Sequence, residues 1–381
     1  MIDLDGAVER FAAASDLTVG LEEEFAILDP ETLDLAQRFE ELRDTSAERS
    51  PELQEHIAGE LISSEIEIIS GSGNDFHDAV ERQRKLRREL FAHAASRAAA
   101  LGATATHPWA DYREQQIIDT EHYRRVEEGL KYVAWRNNTF SLHVHVGVRD
   151  ADRAVKACDR LRPVLPLLLA LSASSPFLDG RSSGLHSSRS QIFTRSFPRC
   201  GVPEPFGSWD AYRQYIELLI DTASIVEFTQ VWWSIRPHFA FGTVELRICD
   251  VQSTAGESDA LAGLMVAVIA QALRDIDEGV PFADLPGRLI EENMWRAIRY
   301  GLDGRMIDLA RGEEYPSAEI AERLLAWTAP VRGELGIEPV FPDSNSAQRQ
   351  RAMLHSGASM QEVYEATVRE TRASYAEEVT A

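Results

Sequence analysis

Apolar and polar residues alternate with a period of two in six stretches, at 17–28, 59–69, 103–107, 140–148, 231–236 and 240–250. That is the pattern of half-exposed β-strands. In the first, LTVGLEEEFAILD, Val19, Leu21, Phe25 and Ile27 share one face, and Gly20, Glu22, Glu24 and Ala26 the other. Glu23 falls on the face opposite to Glu22 and Glu24, where its replacement by Gln is expected to be tolerated. A helical period replaces the alternation elsewhere. Residues 75–101 have Asp75 as N-cap, a stripe through Phe76, Ala79, Val80, Leu90, Ala94 and Ala98, and a stop before Gly102. A second helical pattern, about 151–174, is interrupted by Pro163 and Pro166, a third follows Trp209, and beyond residue 257 everything reads as helix.

Strands gathered in the first two thirds, with helices segregated after them, predict an α+β fold with an antiparallel sheet. Helices on one face of such a sheet leave the other free to form a cavity and a site. No linker, repeat or low-complexity tract interrupts the chain. The expected organisation is one catalytic domain over 1–381, sheet-forming at about 17–256 and helical at about 257–381.

The polar faces of the strands carry unusual chemistry. Glu22 and Glu24 stand side by side, and like charges so close repel unless a cation lies between them. In ELISSEIEIIS, Glu65 and Glu67 share a face with Ser63, while Glu60 is out of phase and joins them only through a bulge or a bend at the strand start. SLHVHVGV turns Leu142, Val144, Val146 and Val148 inward and His143 and His145 outward. GTVELRICD sets Val244, Leu246 and Ile248 against Thr243, Glu245, Arg247 and Cys249, although a free cysteine such as Cys249 reads as a small buried residue. One such strand alone is explained by an edge wearing solvated charge. Four together point to a metal-binding face, because carboxylate and neutral imidazole meet the same divalent ion. Oxygen donors in excess, without thiolate, suit Mg²⁺ or Mn²⁺, ions that commonly work with phosphates. With no GxxxxGK[ST] or GxGxxG motif, a nucleotide would be held by metal-bridged phosphates and by arginines, for which Arg236 and Arg247 are candidates. Pairing with sheet carboxylates is the other reading of either arginine. His107 borders the cavity or bonds a backbone group, and of Trp232 and Trp233 one faces the core and one the cavity.

Composition narrows the partners. The chain has 381 residues, 44% of them hydrophobic, enough for a sizeable core, and 62 Asp+Glu against 39 Lys+Arg give a net charge of -23. Such a chain has no means of neutralising a run of phosphates, so nucleic acid is excluded as a partner. Cys158, Cys200 and Cys249 have neither disulfide nor metal spacing, which fits a reducing compartment. MIDLDGAVERFAAAS lacks an export signal, and PVLPLLLALSASSPFL is too short to span a membrane, so no membrane association and a cytoplasmic location are expected.

The motifs VGLEEEFAILDP, LHVHVGVRD, LRPVLPLLLALSASSPFLDGR, GVPEPFGSWDAY, WWSIRPH, GTVELRICDVQ and WRAIRYGLDG occur in order between about Val19 and Tyr300. In these the chain resembles the carboxylate-amine ligase family, also called glutamate-cysteine ligase type 2, of the glutamine synthetase superfamily. The resemblance implies a cavity over an antiparallel sheet that takes ATP and two or three divalent ions. It implies transfer of the γ-phosphoryl of ATP to a carboxylate and attack of an amine on the acyl phosphate, with glutamate and cysteine as the default pair of small-molecule substrates. It further implies one ion on Glu22, His143 and Glu245 and another on Glu24, Glu67 and Glu60. Arg247 and Arg236 would face phosphoryl oxygens or a substrate carboxylate, and His145 would ligate or hydrogen-bond a substrate. The segment RSSGLHSSRSQIF departs from the family's Asp-Thr-Gly-Tyr-like stretch at Arg181, Ser182, Ser183, Leu185 and His186 but keeps Arg189, which reads as a grip on a substrate carboxylate or phosphate or as a surface-loop arginine. Two rival readings are a metal-dependent amide hydrolase, since HVH also opens such sites on parallel barrels, and a catalytically silent metal-binding module. A homodimer is compatible with this much sheet and helix surface.

Overall fold

A computed structural model describes residues 3–376. Its main sheet has seven strands: β1 (Val19–Leu28), β2 (Ile57–Ala58), β3 (Glu65–Ile69), β4 (Ala100–Gly102), β5 (Ser141–Gly147), β6 (Ile235–His238) and β7 (Thr243–Asp250). They run in the order β6-β7-β5-β1-β3-β2, with β4 taking up the end of β1 at Ala26–Leu28, and every pairing in this sheet is antiparallel. The alternating pattern therefore reads correctly as an antiparallel sheet in an α+β fold.

The aliphatic face of the sheet is covered by helices. The helices that matter most for the site are α1 (Phe76–Ser96), α2 (Glu121–Leu130), α3 (Ala151–Leu161), α4 (Leu165–Ser172), α5 (Ser188–Ser196), α6 (Ala255–Asp277) and α7 (Met360–Ala376). As its N-cap role requires, the Asp75 carboxylate accepts a hydrogen bond from Asp78 N at 2.9 Å. Pro163 ends α3 and seeds a short 3₁₀ turn before α4, as proline does where a helical N–H must be given up. α6 is apolar on every side, and it lies between the sheet and outer helices with Leu261, Leu264, Met265, Val268 and Ile269 packed in the cluster that holds Leu21, Val144 and Leu246. Each such side chain contributes about 1.5–3 kcal/mol by leaving water. Gly263 permits the close approach, because a Cβ there would meet Ile337 Cγ2 at 2.9 Å and Phe76 Cζ at 3.1 Å.

Several local expectations are corrected. The stretch 59–69 is not one strand: Ser63 and Ser64 form a turn, tied outward by Ser63 Oγ to Glu40, and β3 starts only at Glu65. At 103–107 there is no strand; β4 lies just before it, and His107 is buried against Leu33 O and the rings of Trp109 and Tyr364 rather than bordering the cavity. The run 231–236 breaks at Ser234, with Trp232–Trp233 pairing in parallel with Cys200–Gly201. Beyond 257 the chain is not wholly helical, since Arg305–Asp308 and Glu313–Pro316 form an antiparallel hairpin. A register shift between Leu246 and Cys249 turns Cys249 into the core beside Ile248, which is why it is buried despite its phase.

The largest correction concerns Glu23. It does lie opposite to Glu22 and Glu24, but it is fully buried, and its carboxylate is bonded by Arg87 of α1, itself 1% exposed, surroundings in which a change is not expected to pass without effect. Among the described residues no helix is long and apolar enough to cross a membrane. Because the Asp75 side chain satisfies an otherwise orphaned N–H at the start of α1, Asp75→Ala is expected to lower unfolding free energy by about 1 kcal/mol, read from urea denaturation at constant m-value.

Candidate active site

Strand register decides which polar side chains meet. On the face away from the helices, Glu22 of β1 is paired with His143 of β5, Glu24 with Glu67 of β3, and Glu245 of β7 with His145 of β5. The period of two then aligns these pairs across four adjacent strands. The turn at Ser63–Ser64 brings Glu60 back over β3, so the residue that was out of phase reaches the same place. Glu22, Glu24, Glu60, Glu65 and Glu67 line a cavity of about 280 Å³, with Arg189, Arg236 and Arg247 on another wall.

Three groups of donor atoms lie within 4.8 Å of one another: Glu24 with Glu60 and Glu67, Glu22 with Glu67 and His143, and Glu22 with His145 and Glu245. The pairing of His143 with Glu245 implied by family resemblance is thus divided differently. His145, directly across from Glu245, takes that place, and His143 sides with Glu67. His145 Nε2 is 3.1 Å from Glu22 Oε1 and 3.7 Å from Glu245 Oε1 and forms no aligned hydrogen bond with either, while Nδ1 is held by Thr243 Oγ1 at 3.0 Å. A buried ring nitrogen aimed between two carboxylates suits a divalent cation, and the donor set, all carboxylate oxygen and imidazole, suits a hard one.

The acid groups show the same crowding. Burial first, and then the charge of Glu24, push Glu60 up from its ordinary 4.5 to about 8. Glu67, by burial and by Glu22, and Glu65, by burial and by Glu24, are raised well above the ordinary carboxyl range. Glu22 is held well below it, because the His145 and His143 imidazoles outweigh the opposing effect of burial. Burial opposes the ionisation of Glu245 too, yet Arg236 and Arg247 hold it well below normal.

The arginines divide in role. Arg236 donates Nε to Glu245 Oε2 at 2.5 Å and Nη1 to Val231 O, and Arg247 donates Nη1 to Glu245 Oε1. Arg247 lines the cavity, and its Nε is buried without a partner. Arg189 sits on α5, 4% exposed, and spends Nη1 and Nη2 on the carbonyls of Ile248 and Arg247, so it braces the irregular end of β7 and is not a surface-loop arginine. Trp232 lines the cavity and Trp233 packs in the core.

Sequence reasoning overlooked one group within the sheet and two supplied from a helix. Ser141, at the start of β5, donates Oγ to Glu24 Oε2 at 2.6 Å and is 2.7 Å from His143 Nε2. Tyr123 and His122 of α2 cover the cavity, and His122 Nδ1 meets Glu227 Oε2 at 2.5 Å across its rim. Ser141 was accessible from its phase with His143; α2 carried no signal, because its polar stretch reads as a solvated helix.

Comparison with known proteins bears on this geometry. The model of glutamate-cysteine ligase family 2 matches residues 18–369. A protein of Solibacter usitatus provisionally named glutamate–cysteine ligase 2 is 37% identical over 362 residues, 93% of this chain and 93% of its own length. One from Rubrobacter xylanophilus, provisionally named glutamate–cysteine ligase 2-2, is 36% identical over 363 residues, 95% of this chain and 93% of its own. Among solved structures, the glutamate–cysteine ligase of Francisella tularensis in complex with AMP superposes with TM-score 0.69 at 13% identity, over 95% of this chain and 90% of that one. A bifunctional glutathione synthetase from Pasteurella multocida superposes with TM-score 0.63 at 13% identity, over 97% of this chain and 54% of that one. At such identities the two structures establish a shared fold.

The shifts of the acidic groups fix a sign. Glu60, Glu65 and Glu67 keep protons in the folded chain that the unfolded chain releases near 4.5, so stability present below that value is lost as pH rises toward about 8. With EDTA present, the melting temperature should fall over that interval, and Glu60→Gln should flatten the fall. A slope unchanged in Glu60→Gln would show that Glu60 is not in the crowded group.

Proposed function

The chain belongs to glutamate-cysteine ligase family 2 and is a ligase, and we propose that its glutamate-lined cavity uses ATP to join a carboxylate to an amine. One observation carries this reading: five glutamates converge on a small cavity opposite three arginines, with Arg247 Nε unpartnered. The AMP of the Francisella neighbour supports an adenine nucleotide, and the names of the relatives support glutamate and cysteine as the pair joined.

Glu24, Glu60 and Glu67 would hold one Mg²⁺ or Mn²⁺, and Glu22 would hold a second with His145 and Glu245 or with His143 and Glu67. A divalent ion bound there supplies positive charge to phosphate oxygens that would otherwise repel both the glutamates and the incoming carboxylate. In the first step a carboxylate oxygen of the substrate forms a bond to the γ-phosphorus of ATP as the bond to ADP breaks. In the second the amine nitrogen bonds to the acyl carbon, phosphate leaves with the acyl oxygen, and the amine gives up a proton. Arg247, part-exposed at the cavity wall, would donate to an oxygen of the transferring phosphoryl group or of the substrate carboxylate. Arg236 holds Glu245 ionised and in place, and Arg189 keeps the backbone of β7 in the shape that presents Arg247. No nucleophilic side chain is needed, because positioning and charge carry phosphoryl transfer.

The hydrolase alternative expects a parallel barrel with further histidines at strand ends, and the sheet is antiparallel with Glu245 and Arg247 on its late strand. The ligase reading carries with it small-molecule substrates and a cytoplasmic location.

The purified protein with Mg²⁺-ATP should release ADP only with particular carboxylate and amine pairs, give a product lighter than their sum by one water, and stop on addition of EDTA. ADP release without any condensed product would sink the ligase mechanism. Glu22→Gln and Glu24→Gln should each lower turnover by about a hundredfold or more with the fold retained by circular dichroism.

A further inference from the structure

Opposite the cavity, on the buried side of β1, Glu23 is enclosed by polar side chains from three helices, two of which supply its donors. Arg87 Nε reaches Oε2 at 2.6 Å and Nη2 reaches Oε1 at 2.9 Å. Gln83 Nε2 of α1 donates to Oε2 at 2.8 Å and Ser258 Oγ of α6 to Oε1 at 2.5 Å, while Tyr375 OH of α7, which donates to Gln252 O at 2.9 Å, lies 3.4 Å from Oε1. Arg87 is itself fixed by Asp259 at 2.7 Å and by the face of Tyr375, 5.2 Å from its ring centre.

Stability alone does not account for this arrangement. Leu21 and Phe25, two residues away on either side, fill the same layer with apolar groups, and a buried ion pair is commonly no better than hydrophobic residues of similar volume. What such a pair does supply is a single allowed position, because its hydrogen bonds are directional and losing one leaves a charge buried. Position is what β1 needs. Glu22 and Glu24 flank Glu23 in the chain, Glu24 crowded against Glu60 and Glu67 and Glu22 against Glu67, and their Cα atoms are each one peptide from the Cα of Glu23. A strand with carboxylates crowded on one face relieves the crowding by tilting or shifting unless the other face is pinned.

We infer that Glu23 is a positioning residue: held by Arg87, Gln83 and Ser258, it fixes β1 so that Glu22 and Glu24 stand at cation-holding distance from Glu60, Glu67 and His145. This rests on the proposal that the face holds divalent ions, and it assigns to the middle glutamate of the triplet a role that reaches the site only through its neighbours.

The test is calorimetric titration of the full chain with Mn²⁺, nucleotide-free, for the wild type, for Glu23→Gln and for a control, Leu324→Ala, which opens a cavity in the outer helix Ser317–Leu335 far along the chain from β1. Glu23→Gln should stay folded and bind Mn²⁺ about tenfold or more weakly. The control, even with an equal or larger loss in melting temperature, should bind within about twofold of wild type. Equal binding by Glu23→Gln and wild type would overturn the inference, as would weakening in both variants in proportion to lost stability. Should Glu23→Gln fail to fold, Ser258→Ala and Gln83→Met each remove one donor while leaving the ion pair, and the same comparison decides with them. A wild type that takes up no Mn²⁺ would refute the metal-holding reading and this inference with it, an outcome distinct from wild-type binding that Glu23→Gln leaves unchanged.

Discussion

Repulsion among like charges that a β-sheet forces into proximity is the constraint around which this structure is arranged. Antiparallel pairing places Glu24 directly across from Glu67 and Glu22 beside His143, and no rotamer moves the carboxylates far apart on a pleated surface. The chain counters this in two ways visible without any ligand. Imidazoles and guanidiniums beside Glu22 and Glu245 hold both below the ordinary carboxyl range, while burial and neighbouring carboxylates push Glu60, Glu65 and Glu67 above it, outweighing the pull of Arg247 on Glu60 and Glu67. The face is thus divided into a charge-balanced half near β7 and an unbalanced half near β3.

That division explains why the helices lie where they do. A sheet with this much charge on one side must be very well packed on the other. The apolar α6, together with α1, α3 and α7, supplies that packing through two large clusters, one under β5, β7 and the start of β1 and the other under the end of β1 and β3. The cavity side is closed more lightly. α2 rests on a small separate cluster of Leu61, Val126 and Ala134 and meets the far rim through His122 and Glu227. Rigidity is concentrated beneath the site, and the cover above it has few apolar contacts.

How much of this could be read from the sequence varies with the physics involved. Glu22, Glu24, Glu67, His143, His145, Glu245 and Arg247 were legible because a strand's period of two is a local property. Which histidine partners which glutamate was not, because register is set by pairing between segments distant in the chain, β1 with β5 and β5 with β7. Glu60 was obscured by a turn that resets the phase, and the β4 strand by an alternation that continues past its end. Glu23 was placed on the correct face yet misjudged. Periodicity tells which side a residue occupies and nothing about a partner such as Arg87, 64 positions away. The broad architecture, strands first and helices after, was legible from composition of the segments alone, whereas the hairpin at 305–316, exposed and rich in charge, left no apolar alternation to detect.

The contact between Glu23 and Tyr375 spans 352 positions. It joins the strand made first in the sheet to the last helix described. During synthesis β1 can pair with β3 and β5 long before α7 leaves the ribosome, so for most of that time the acidic face exists with one of its rear fastenings missing. Order of manufacture and order of completion are therefore opposed: the earliest strand of the catalytic sheet is among the last parts of the molecule to be secured.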